Sequence, residues 1–123
     1  MASAVKRGLQ KIFERAEKSQ SALKRILNPS ADGAGTRVFP PQNPNSDRQI
    51  GLRIDKGEPV QGKANVLKLK LQVNKNADDP TLKKMADQNS HAVVSEAEVN
   101  VAQEPNVENL KSLFSNFEKN IRL

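Results

Sequence analysis

An α+β fold, an antiparallel sheet covered on one face by helices, is predicted by period-two alternation in mid-chain and a helical apolar stripe at each end. Ile50, Leu52 and Ile54 alternate with Gly51, Arg53 and Asp55. Leu67, Leu69, Leu71 and Val73 alternate with Lys68, Lys70 and Gln72. Val93, Ala97, Val99 and Val101 alternate with Val94, Glu96, Glu98 and Asn100. Such alternation marks strands with one apolar and one polar face.

The 123 residues form one domain's worth of chain, read as a single unit over 1–123. Within 1–28, Val5, Leu9, Ile12, Phe13, Ala16, Leu23, Ile26 and Leu27 recur at spacings of three and four, predicting a helix over 3–27 with a polar gap at Ser19 and Gln20. Asn28-Pro29 ends it, because the residue before a proline avoids helical angles. Basic and amphipathic, the segment also has the character of a mitochondrial presequence, but Glu14, Glu17 and the solid apolar stripe favour packing on protein. Residues 29–47, rich in Pro, Gly, Asn and Ser, read as a loop in which Val38 and Phe39 supply either a short edge strand or a plug into the core. The sheet occupies 48–104.

Inside it, the polar connection 74–91 leaves two forms open: a short helix with Asp79 as N-cap and Pro80 at the first position, or a long exposed loop. Its composition offers little to bury, which assigns it to assembly rather than folding. From 105 to 123 a terminal helix carries the stripe Leu110, Leu113, Phe114, Phe117 and Ile121.

Composition narrows the function. With 36% hydrophobic residues, four Phe and no Tyr or Trp, a lone chain has a thin core, and a homodimer that completes it is expected. No apolar run is long enough for a transmembrane helix. The absence of Cys removes thiolate chemistry, and one histidine, His91, supports neither a multi-histidine metal cage nor a triad. No catalytic residue, metal or cofactor is assigned. The net charge of +6 is concentrated: residues 1–28 hold seven bases and two acids, so +5 of it lies there. A basic balance points to a polyanion, nucleic acid or an anionic membrane surface.

On the polar side of the strands, Lys68 and Lys70 match Glu96 and Glu98. Antiparallel pairing sets Lys68 opposite Glu98 and Lys70 opposite Glu96, with Leu67 opposite Val99 and Leu69 opposite Ala97. The same face either is merely solvated or binds an extended anion through Arg53, Lys68 and Lys70.

The strands RQIGLRI, NVLKLKLQV and AVVSEAEVNV, with Asp79-Pro80-Thr81 in a polar connection and the helix NVENLKSLFSNFEKNI after the last strand, resemble the coat proteins of single-stranded RNA bacteriophages over residues 48–121. The resemblance implies a coat-like fold with an N-terminal helix in place of the usual β-hairpin, and a dimer whose C-terminal helices cover the partner's sheet. It further implies an icosahedral shell built in the cytoplasm of a bacterial host, packaging of single-stranded RNA, and binding of an RNA hairpin as translational repressor. It assigns Arg53, Lys68, Lys70, Gln72, Val94, Glu96 and Glu98 to RNA, and Leu110, Leu113, Phe114, Phe117 and Ile121 to dimer and core packing. A stacking tyrosine expected near Val94 has no counterpart here. The alternative is a small nucleic-acid- or membrane-surface-binding adaptor acting through the basic N-terminal helix.

Overall fold

The computed structural model describes residues 2–29 and 35–122. Its strands β1 (Arg37–Phe39), β2 (Leu52–Pro59), β3 (Val66–Val73) and β4 (Val93–Asn100) make one antiparallel sheet in chain order. Helices α1 (Ala2–Glu17), α2 (Gln20–Leu27), α3 (Pro44–Ile50), α4 (Pro80–Gln88) and α5 (Val107–Lys119) complete the described residues. The α+β reading therefore stands.

The β3–β4 register is the one the alternation predicts: Leu67 lies opposite Val99, Lys68 opposite Glu98, Leu69 opposite Ala97 and Lys70 opposite Glu96. It changes between Leu71 and Gln72, which face Ser95 and Val93. The bulge inserts Val94 as an extra residue and re-aims its side chain. Val94 is 2% exposed within the core, so its assignment to the RNA-facing side is corrected.

The N-terminal segment is two helices rather than one. Ser19, in the polar gap, leaves helical angles, and its hydroxyl accepts from the Ala22 N–H at 3.3 Å to cap α2. Helix α3 lies where a loop and the start of a strand are expected. Asn43 caps it, Pro44 starts it, and Gly51 ends it at φ +79°, a left-handed angle that favours glycine. Ile50 is thus a helical residue. Of the two forms open for 74–91, the helix is found: the Asp79 carboxylate accepts from the N–H groups of Thr81 and Leu82, at 2.9 and 3.1 Å. Helix α4 buries Leu82, Met85 and Ala86, which overturns the reading of the connection as an exposed assembly loop.

Helices α1, α2 and α5 share one core with the apolar face of the sheet. Phe13 of α1 meets Phe117 edge-on at 6.3 Å. Leu110, Leu113 and Phe117 are buried, and Phe114 and Ile121 are half-buried against the same core. The C-terminal helix therefore covers its own sheet, not a partner's as the coat resemblance implies. The apolar surface expected from a second subunit comes from α1 and α2. Ser95, buried on the helix side, donates its hydroxyl to the Phe117 carbonyl at 2.7 Å and ties β4 to α5.

Candidate functional site

Two polar surfaces remain. On the sheet, Arg53, Lys68, Lys70, Gln72, Glu96 and Glu98 do come together on one face, set by β2, β3 and β4. Its charges are largely matched. Lys68 Nζ lies 3.6 Å from Glu96, Arg122 2.7 Å from the same carboxylate, and Lys63 3.1 Å from Glu98. Solvent-exposed ion pairs of this kind contribute about 0–1 kcal/mol each.

A second cluster on this face escaped the sequence reading. Asp55 is 5% exposed, and Arg53 Nε lies 3.4 Å from it. Burial pushes the Asp55 carboxyl up, opposed by the nearby charges of Arg53, Arg37, His91 and Lys70. Arg53 also donates to Gln72 at 3.2 Å, and its guanidinium lies 2.9 Å from His91 Nδ1. His91, exposed and at φ +62°, thus lies against an arginine. Arg37 bonds the buried Asp47 of α3. Period two places Asp55 on the polar face, but nothing in one chain's spacing says that three bases converge on it. Two carboxylates, Asp47 and Asp55, thus take Arg37 and Arg53, and Lys70 adds one unpaired base beside them.

The other surface is the solvent side of α1 and α2. The spacing that sends Val5, Leu9, Ile12 and Phe13 inward leaves Lys6, Arg7, Lys11, Arg15, Lys18, Lys24 and Arg25 exposed, against Glu14 and Glu17. Arg7, Lys11 and Arg15 recur every four residues and share one flank. Arg7 reaches Asp79 at 3.5 Å, and Arg15 bonds the Ser46 hydroxyl at 3.2 Å. These contacts set the row beside α3 and α4, where Arg48, Lys75 and Lys83 line a cavity of about 550 Å³ with Asp78. Among the described residues, Lys6, Lys11, Lys18, Lys24 and Arg25 have no ion-pair partner.

Residues 1–116 match the family model HrmA, subtelomeric hrmA-associated cluster protein. The chain belongs to that family. No curated protein and no solved structure matches it. The HrmA match overturns the resemblance to RNA bacteriophage coat proteins and the readings built on it: capsid and icosahedral shell, packaging of a phage genome, translational repression, and localisation to a virion assembled in a bacterial host. The misleading features have local causes. Asp79-Pro80 is an N-cap followed by the first residue of α4, and a three-strand meander followed by an apolar helix is a general solution for covering a one-sided sheet. The HrmA description names a gene neighbourhood and no activity, so the chemistry must come from the surfaces.

Proposed function

We propose that the protein is a non-enzymatic nucleic-acid-binding protein that holds a phosphate backbone along the solvent side of α1 and α2. The observation that carries this reading is the set of bases without carboxylate partners there among the described residues, Lys6, Lys11, Lys18, Lys24 and Arg25, with Lys11 standing mid-row between Arg15 and the Asp79-paired Arg7, while on the sheet face Arg53, Lys63, Lys68 and Arg122 are opposed by acids and Lys70 alone is not. From Arg7 to Arg15 the row spans about 12 Å at about 1.5 Å per residue. That length takes in only a few phosphates of one strand, enough for Lys11 and its neighbours to meet a backbone. The chain has no Tyr or Trp, and Phe13, Phe39 and Phe117 are buried with Phe114 half-buried, so base stacking has little to work with and contacts to phosphate dominate. Single-stranded RNA is the ligand proposed. A membrane surface is disfavoured because both helices spend their apolar faces in the chain's own core, which leaves nothing to bury among lipids.

Filter binding at several salt concentrations tests this reading. Lys11→Ala with Lys18→Ala should lower the salt slope by about 0.7–0.9 per lost phosphate contact and weaken binding alike for all sequences. Lys68→Ala with Lys70→Ala should leave the slope unchanged. The reverse pattern moves the site to the sheet, and binding to anionic vesicles but not to RNA sinks the reading.

A further inference from the structure

We infer that the free edge of β4 is a strand-addition site for an extended peptide segment of alternating apolar and basic residues. Strand β4 is the last of the sheet, so one side of its backbone has no neighbouring strand. The main-chain groups of Val101 face inward, since its N–H donates to the Asn65 carbonyl at 2.8 Å. Alternation then turns the N–H and C=O groups of Glu98 and Glu96 outward.

Part of this edge is already taken. After α5 the chain runs antiparallel to β4: the Asn120 side chain donates to the Glu96 carbonyl at 3.0 Å, and the Arg122 N–H donates to the Val94 carbonyl at 2.9 Å. Ile121 packs against the core, while the Arg122 guanidinium meets the Glu96 carboxylate at 2.7 Å. The tail thus supplies what β3 supplies on the opposite edge, apolar inward and basic outward against the same glutamate. Two residues further along, no hydrogen bond from the described residues reaches the main chain of Glu98. There a groove of about 300 Å³ opens between β4 and α5. Its lining includes the apolar Val99 and Leu113 and the polar Gln103, Ser112 and Asn116. An incoming strand would bond the Glu98 backbone, drop an apolar side chain toward Leu113 and set a base against Glu98, whose present partner is the exposed Lys63. Strand addition draws affinity from main-chain bonds and specificity from alternate side chains.

The probe is a free peptide of the β3 sequence VLKLKLQV, which already pairs with the inner side of β4 in this register. Titrated into the ¹⁵N-labelled full chain, it should shift the amides of Glu96, Glu98 and Asn100 saturably and leave those of Ala97 and Val99 in place. Glu98→Pro removes the outward donor together with the carboxylate that would meet the incoming base, a substitution edge strands accommodate, and should weaken binding tenfold or more. As a second arm, Glu98→Lys should lose VLKLKLQV and gain VLELELQV. The inference is overturned by absence of saturable shifts, by shifts centred on Ala97 and Val99 (exchange into the β3 position), or by equal affinity of wild type and both variants.

Discussion

Gly8 of α1 sits directly on Leu52 of β2. A Cβ built on it would lie 2.6 Å from Leu52 Cδ1 and 3.1 Å from the Ile50 carbonyl oxygen, while Leu52 is fully buried. Helix propensity alone favours Ala over Gly by about 1 kcal/mol. Here the neighbour has nowhere to go, and the overpacking cost of about 1–3 kcal/mol should win. Gly8→Ala is therefore expected to lower the urea midpoint, and a raised midpoint would show that α1 does not pack this closely.

Phe114 and Phe117 separate two degrees of burial on one helix. Phe117 is fully buried against Phe13, and Phe117→Ala should cost about 3–5 kcal/mol. Phe114 meets Phe13 at 5.1 Å but is half-exposed, so Phe114→Ala should cost clearly less. Equal losses in chemical denaturation would contradict the described orientation of α5.

Asp79 makes stability depend on pH. The N–H of Leu82, helped by that of Thr81 and by Arg7, holds its carboxyl below the ordinary value of 3.8. A carboxyl lowered on folding adds stability above its unfolded value, and that stability is lost as pH falls through the folded value. Asp79→Ala should cost about 1 kcal/mol at neutral pH, with the gap to wild type closing below about pH 4. Asp55 has the opposite sign. Its raised carboxyl favours the folded state increasingly as pH falls through the folded value, so Asp55→Asn should not share the Asp79 profile. Melting curves of the three proteins from pH 2.5 to 7 make the comparison.

Leu82 tests the status of the segment between β3 and β4. It is 1% exposed, its Cδ1 lying over Gly51. Leu82→Ala should cost about 2–5 kcal/mol, as in any core, and a neutral result would return the segment to the role of a surface loop.

How far the fold could be read depends on the range of the interactions that set it. The Leu-Lys-Leu-Lys and Glu-Ala-Glu-Val patterns were enough for the β3–β4 register, because a one-residue slip would turn every side chain to the wrong face. The cap at Asp79 was likewise local and visible. Helix α3 was missed although Asn43-Pro44 and Gly51 mark its ends: seven residues give too short a stripe to outweigh the loop composition around it. Val94 was misplaced because a bulge is fixed by its partner strand, not by its own sequence. The convergence of Arg37, Arg53 and Lys70 on Asp55 joins three strands, and period two could not reveal it. On the helices, the unpaired bases were legible as an excess of charge, and their lack of partners became visible only with the neighbours in place.

The edge-on contact of Phe13 with Phe117 joins helices on either side of the sheet in sequence, and this sets a timetable for synthesis. Phe117 leaves the ribosome 104 residues after Phe13. At about 5–20 residues per second, that delay is roughly 5–20 s. Throughout it, α1 has been made but one wall of its binding place has not. The meander, built from neighbours in sequence, can pair early, whereas the apolar stripe from Val5 to Ala16 must wait. A nascent chain stalled before α5 is therefore a better chaperone client than the finished one, and the stripe of α1 is what the chaperone would hold.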